Sequence, residues 1–401
     1  MLKRIYIDNF RCLVNFELDF DAINLFLGSN GSGKSTVFAV LQKIQAFVSG
    51  DSKVAAIFKP EDFTRWQTLQ IQHFELEIFG NDGCYKYELG IAHHRDKCLV
   101  EYERLWFDNQ PLLKCESGKV QLYRDNNSER LPYKFDGSQS LLPSLNDYPK
   151  LTWFRERMAR FIIVQMVPSL MVDEIDREQI HLNTPMENFV SWYRDLSENR
   201  GEKVEEIGNI LNKVLDGFIN FKFEQVKDNL VLKVRFSGEK YNGKPIEYRL
   251  RELSDGQKTL VALYALIYGT KSEDYTLCLD EPENFLPLLE IQPWLIELYD
   301  LCTEGKLQAL LISDHPELIN YLLASPIGYW FERQSNALVR VKRISSEVAD
   351  NSGLPVAELI ARGWLNLEFR LSRSKSAIAL RLAHSSQERQ WSLASAYQTQ
   401  P

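Results

Sequence analysis

The chain has 401 residues, 44% of them hydrophobic and 25% charged, with a net charge of −8. This mixture excludes a disordered chain, and the length allows two domains or one large domain with an inserted lobe. The acidic balance excludes a uniformly basic nucleic-acid binder, although a local basic groove stays open. The opening MLKRIYIDNFRCL has no signal core and reads as a strand of the fold. No apolar run nears the about 18 residues of a membrane span. Six scattered cysteines (Cys12, Cys84, Cys98, Cys115, Cys278, Cys302) form no C-x-x-C pair. They point to reduced thiols of a cytoplasmic protein, not to a disulfide frame or zinc site.

Val14, Phe16, Leu18 and Phe20 alternate as in a half-buried strand, and INLFL (Ile23 to Leu27) is a short buried strand. The loop after it, GSNGSGKS from Gly28 to Ser35, fits G-x-x-x-x-G-K-[ST]. Gly28, Gly31 and Gly33 let backbone N–H groups turn inward around phosphate oxygens, with Ser29, Asn30 and Ser32 between them. Lys34 supplies a point charge for β/γ-phosphates, the Ser35 hydroxyl suits Mg²⁺, and Thr36 completes the stretch. A helix starting near Lys34, apolar at Val37, Phe38, Val40, Leu41 and Ile44, adds its N-terminal dipole. The strand before and the helix after set this loop apart from a chance glycine turn.

From about residue 70 to 135 the chain alternates as strands: FELEIF, YKYELGI, CLVEYERLWF. From 141 to 234 the texture turns helical and polar, without sustained heptads, so a long coiled coil is not expected. Within that stretch RFIIVQMVPS is an apolar strand ending near Gln165. Gln165 either bridges Mg²⁺ and an attacking water or is a partly buried amide bonded to backbone.

RELSDGQKTLVALYALIYG opens a strongly apolar helix in which Ser254 and Asp255 look like caps and Gly256 permits close backbone approach. YTLCLDEPENF is a buried strand ending in Asp280 and Glu281. Asp280 would hold Mg²⁺, and Glu281 would orient and deprotonate the attacking water. ALLISDHPE is a strand ending at His315, either a γ-phosphate sensor or a satisfied histidine. GLPVAELIARGWLN (Gly353 to Asn366) is helical in spacing, with an exposed-looking Trp364 as a docking element, and the tail from Arg362 is basic.

In order, the motifs GSNGSGKS, VQ, LSDGQ, LCLDE and SDH, with the opening IDNFRCLVNFEL, resemble the ABC-type ATPase heads of the RecF/SMC/OLD group. Within the group the resemblance is to AAA_15/AAA_21-like bacterial ATPases of the kind found in anti-phage defence systems. It covers about residues 1–45 and 245–345. It implies an α/β P-loop head with a β-rich subdomain and an inserted helical lobe. The layout is then a discontinuous head over 1–140 and 235–345, a lobe over 141–234 and a helical, basic tail over 346–401.

The resemblance further implies ATP and Mg²⁺ as cofactors, with Arg11 near the nucleotide. It implies a head-to-tail homodimer or higher homo-oligomer. Ser254, Asp255, Gly256 and Gln257 of one protomer would close on the γ-phosphate held by Lys34 of the other. A separate effector nuclease, and DNA, are the implied partners, and no membrane is. Two departures stand out: Pro287 lies where the group usually places a D-loop aspartate, and Asp255 would repel a γ-phosphate unless turned outward. A transporter subunit is disfavoured because Lys34 and Ser254 are 220 positions apart. No nuclease centre is expected, since the residues after His315 are few and poor in carboxylates. A RecF-like repair ATPase is the alternative.

Overall fold

In the computed structural model, residues 1–94, 97–116, 118–124, 127–130, 136–175, 181–227, 229–238, 243–322, 328–333, 338–344 and 355–361 are described. The chain begins with β1 (Leu2–Asp8), β2 (Phe16–Asp19), β3 (Ile23–Leu27), α1 (Lys34–Ser49) and α2 (Val54–Ile57). A run of strands follows: β4 (Ile71–Gly80), β5 (Gly83–His94), β6 (Lys97–Phe107), β7 (Gln110–Glu116), β8 (Lys119–Arg124) and β9 (Asn127–Arg130). Next come α3 (Pro149–Ala159), β10 (Phe161–Gln165), β11 (Glu174–Ile175), α4 (Phe189–Asn199), α5 (Gly201–Val214), β12 (Phe218–Val226), β13 (Asn229–Phe236) and β14 (Ile246–Arg249). Then α6 (Asp255–Thr270), β15 (Thr276–Asp280), α7 (Leu288–Thr303), β16 (Gln308–Ile312), β17 (Gly328–Glu332) and β18 (Arg340–Ile344) close the first of two units.

That unit, Met1–Asp314 with Pro326–Ile344, is built on a six-stranded sheet ordered β10-β15-β16-β3-β17-β18. All neighbours in it are parallel except β17 with β18. A parallel sheet must be covered on both faces, which explains why β3 and β16 are buried at every position. Side chains alternate between the faces. Phe26, Cys278, Leu310, Ile312 and Phe331 share one continuous core with Val37, Phe38, Leu41 and Ile44 of α1. Leu25, Leu277, Leu279 and Leu311 point the other way, where α7 packs on β16 and β3. Phe26 is the hub, with ring centroids 5.1 Å from Phe331 and 5.8 Å from Phe38.

The strands after α2 join β1 and β2 in an antiparallel sheet of eight, ordered β2-β1-β4-β5-β6-β7-β8-β9. Its inward residues, Ile5, Phe74, Tyr87 and Leu89 among them, belong to the same core as α1. A third sheet pairs β11, β12 and β14 with β13. The fold is therefore α/β, with a mostly parallel central sheet, a β-rich antiparallel subdomain and a helical lobe. No described helix exceeds 16 residues, the length of α1, α6 and α7.

The stretch 141–234 is less uniformly helical than expected. The helical lobe proper is α4 and α5, which pack on α6. The same stretch supplies β10 to the central sheet and β12 to the third sheet. The short apolar run Phe161–Val164 finds its strand partner far along the chain, Phe161 opposite Thr276.

The second unit, His315–Ser325 with Ser345–Pro401, contains α8 (Pro316–Leu322) and α9 (Val356–Ala361). Leu318, Ile319 and Leu322 are buried in it, as are Val356, Ala357 and Leu359. The Ala357 N–H donates to Asn320 Oδ1 at 3.4 Å. Trp364 and the basic run from Arg362 lie outside the described residues. Among the described residues no helix is long and apolar enough to cross a membrane.

Candidate functional site

The central sheet brings the chemistry to one edge. Gln165, Asp280, Ile312 and Phe26 form one row in register across β10, β15, β16 and β3. Because these strands are parallel, the loops that follow them all leave from the carboxyl edge, where open α/β sheets hold ligands. Gly28, Glu281 and Ser313 start those loops.

The loop after β3 is shaped by its glycines. Gly28 has φ +140°, and a Cβ there would stand 2.3 Å from the Phe331 carbonyl oxygen. Gly33 caps α1 in the left-handed region, φ 106°, with no side-chain cap. The first N–H groups of α1 are thus left to an anion. The Ser32 hydroxyl is buried in this cradle without a hydrogen-bond partner. Lys34 is 8% exposed and lies 3.7 Å from Asp314 Oδ2, and its ammonium donates to the Gly28 carbonyl. The Ser35 hydroxyl donates to Asp280 Oδ2 at 2.8 Å.

A cavity of about 510 Å³ opens over this cradle. It brings together Ser29, Asn30, Gly31, Ser32, Gly33, Lys34, Ser35 and Thr36 with Asp280, Glu281 and Arg11. Gly28 shapes the loop from behind. Cys12, Glu61, Phe63, Arg65, Trp66, Ile312 and Arg333 also line the cavity and were not singled out in the sequence. Arg11 is fixed by Asp62, whose Oδ1 accepts two guanidinium bonds at 2.8 and 3.0 Å. Asp62 is 1% exposed. Burial disfavours its charge, but Lys43, the Lys59 N–H and Arg11 together hold its carboxyl below the usual range.

At the end of β15 the two adjacent carboxylates diverge into one site. Glu281 sits at φ +51°, and its N–H donates to the Ile312 carbonyl at 2.9 Å. Asn284 Nδ2 donates to Glu281 Oε2 at 2.7 Å. Burial, and then the Glu281 charge, push the Asp280 carboxyl above its ordinary value, against the Ser35 hydrogen bond. A dication reverses that logic. Ser35 and Asp280 are oxygen donors that, with phosphate oxygens, would make the sparse oxygen set that Mg²⁺ takes, so the residues fit that ion. Glu283 was also missed. It is 7% exposed, accepts a hydrogen bond from the Ser313 hydroxyl on one oxygen and has no partner on the other.

The remaining expected residues stand elsewhere. Gln165 ends β10 beside Asp280 in register, with its N–H bonded to the Thr184 carbonyl at 2.7 Å, but it is not in the cavity lining. Ser254–Gln257 also lie outside the lining and form a capping box at the start of α6. Ser254 Oγ accepts the Gln257 N–H at 3.2 Å, and Gln257 Oε1 accepts the Ser254 N–H at 3.0 Å. Ser254 is the cap. Asp255 is the first helical residue and faces Lys258 at 3.4 Å. The close approach at Gly256 is to the Phe285 carbonyl, 3.0 Å from where a Cβ would stand. His315 opens the second unit, where its carbonyl accepts the Ile319 N–H at 3.1 Å.

Comparison with known proteins places the chain. The family profile AAA_21, described as "AAA domain, putative AbiEii toxin, Type IV TA system", matches residues 23–320. An OLD nuclease of Thermus scotoductus is 28% identical over 131 residues, which are 33% of this chain and 24% of that protein. The matching segment thus spans about a quarter of that relative. Among solved structures, the SMC head domain from Thermotoga maritima aligns at 14% identity and TM-score 0.46, covering 86% of this chain and 99% of that one. The recombination mediator protein RecF-ATPrS aligns at 14% identity and TM-score 0.43, covering 85% and 98%. The chain belongs to the AAA_21 family.

Proposed function

We propose that this protein binds and hydrolyses ATP as a dimeric switch, coupling its nucleotide state to a separate effector nuclease, to DNA, or to both, in anti-phage defence. The observation that carries the ATP reading is the Ser35–Asp280 bond at the mouth of a cavity whose floor is the glycine cradle. The inward N–H groups of Gly28 to Thr36 and the Lys34 ammonium take the β- and γ-phosphates. Ser35 and Asp280 would hold Mg²⁺, with Gln165 at the adjacent strand end, and the ion would supply charge neutralisation at the phosphate oxygens. Glu281, held by Asn284, orients a water and takes its proton as the water oxygen attacks the γ-phosphorus and ADP leaves. Arg11, aimed by Asp62, meets the phosphate chain.

The signature residues complete the site of a second copy. Ser254 and Asp255 are exposed and stand off their own cavity. Phe285 (55% exposed), whose carbonyl approaches Gly256, adds apolar surface close by. The effector role is supported by the OLD nuclease relative, of which this chain matches only part.

Glu281→Gln tests this reading: the variant accumulates an ATP-bound dimer in light scattering while hydrolysis stops. A variant that stays monomeric in ATP and hydrolyses at the normal rate refutes it. Lys34→Ala serves as control and loses ATP binding.

A further inference from the structure

A second cavity, of about 290 Å³, lies at the opposite, amino edge of the central sheet. Phe161, which opens β10, and Tyr275, just before β15, form its sheet side. Trp192 and Leu196 of α4 form its lobe side. There α4 comes against α6 at Gly269, where a Cβ would stand 3.1 Å from both side chains. The volume is at the lower limit of small-molecule sites, about 300 Å³, so it suits a compact ligand. The charges on the lining divide into committed and uncommitted groups. Arg200 is paired with Glu273, and Asp195 accepts a hydrogen bond from Asn199 Nδ2 at 2.8 Å. The carbonyls near the end of α3 are also taken, since Gln45 Nε2 donates to Met158 at 3.0 Å and to Phe161 at 2.7 Å. Glu156 and Arg160 are different. They are four apart at the end of α3, a spacing at which such pairs close. Yet among the described residues neither side chain has an ion pair or hydrogen bond, and both line the cavity. An unspent cation and an unspent carboxylate, with aromatic and aliphatic walls, complement a dipolar molecule that has an apolar body.

His181 and Leu182 form another part of the wall, and the chain there is tied to the carboxyl edge of the sheet. Two residues on, the Thr184 carbonyl accepts the Gln165 N–H at 2.7 Å, and Thr184 Oγ1 accepts a bond from Gln42 Nε2 of α1, also at 2.7 Å. Gln165 stands in register with Asp280. One loop therefore borders the cavity and holds the strand end beside the Asp280 carboxylate.

We propose that this cavity is an effector site for a free α-amino acid with an apolar side chain: Arg160 takes its carboxylate, Glu156 its ammonium, and Trp192 and Phe161 its side chain. The occupant joins the end of α3 to the wall at His181 and Leu182, and so steadies the loop in which Thr184 holds Gln165. This effector role rests on the nucleotide reading above, whereas the binding site itself does not. The effect falls on the rate of hydrolysis and not on ATP affinity, because the two cavities share no lining residue.

The test begins with calorimetry of the full chain, without nucleotide, against each of the common L-amino acids. Apolar members bind saturably. The matching amine, which lacks the carboxylate, and the matching acid, which lacks the ammonium, each bind roughly ten- to a hundredfold more weakly, the worth of one charge-assisted contact. Arg160→Gln and Glu156→Gln each weaken the amino acid by a similar factor. The site is overturned if no amino acid binds, if the matching acid or amine binds as tightly, or if either variant binds as wild type does. Hydrolysis is then followed with ATP and Mg²⁺. The bound amino acid raises kcat severalfold and leaves KM for ATP unchanged, and Thr184→Val loses that response while still binding the amino acid. A kcat indifferent to the amino acid, or a Thr184→Val variant that responds as wild type does, overturns the effector role. If the chain hydrolyses no ATP with or without the amino acid, the nucleotide reading itself falls, and the calorimetry still decides the site.

Discussion

Replacing Glu283 by glutamine should change how stability depends on pH. The Glu283 carboxyl is pushed up from 4.5 to about 7, first by burial, with the Glu281 and Asp314 charges adding to it and the Ser313 hydrogen bond opposing it. Below about pH 4.5 the group is protonated in both the folded and the unfolded chain, so it imposes no penalty. Above about pH 7 it is ionised in both, and only the folded chain bears the cost of a buried charge. Stability held by the neutral acid is thus fully present at low pH and lost as pH rises through about 7. At about 1.4 kcal/mol per pH unit the whole loss is about 3 kcal/mol, of which about 2 kcal/mol falls between pH 5.5 and 8. Glu283→Gln keeps an oxygen for the Ser313 hydroxyl and cannot ionise. Urea denaturation followed by tryptophan fluorescence, repeated across that pH range, should therefore show the variant gaining about 2 kcal/mol on wild type from pH 5.5 to pH 8. A gap that stays constant across the range means that Glu283 is already ionised in the folded protein, and the argument from its burial is wrong.

Two further perturbations probe the cradle and the signature helix. Gly28→Ala puts a methyl 2.3 Å from the Phe331 carbonyl at φ +140°, costing about 1–3 kcal/mol in backbone strain and displacing the loop. Calorimetry should find ATP binding lost, and an affinity within twofold of wild type contradicts the steric reading. Ser254→Ala removes one half of the capping box and should lower stability by about 1 kcal/mol, with Ser254→Asp restoring it. Because Ser254 lies outside its own cavity, ATP affinity of the monomer should not change, whereas ATP-dependent dimerisation should weaken. Tighter or unchanged dimerisation in light scattering removes Ser254 from the composite site.

The loop Gly28–Thr36 was legible because its geometry is local: glycine φ values, a strand before and a helix cap after are all written in consecutive residues. Asp280 and Glu281 were legible as the end of a buried strand. Their meeting with Ser35, 245 positions away, depends on the parallel ladder and not on any local signal. Trp66 and Arg333 escaped notice since each lies in an aperiodic segment and they meet only across the cavity mouth. A lone tryptophan between turn-forming stretches was the one available hint. Nothing local in DEPEN marks Glu283, whose hydrogen bond comes from Ser313, 30 positions away. The strand at Phe161–Gln165 could be read from its apolar run, but its membership in the central sheet could not, since its partner β15 begins at Thr276.

The contact between Gly28 and the Phe331 carbonyl has a consequence for the order in which the protein is made. The wall that the phosphate loop leans on is synthesised some 300 residues after the loop itself. At about 5–20 residues per second this is a delay of roughly 15–60 s. During that time β3 lacks both neighbours, β16 and β17, and the loop has no backbone to set its curvature. A nascent chain therefore cannot engage nucleotide early. Ligand capture marks the completion of the central sheet, and free nucleotide in the cell favours only chains that have reached that stage.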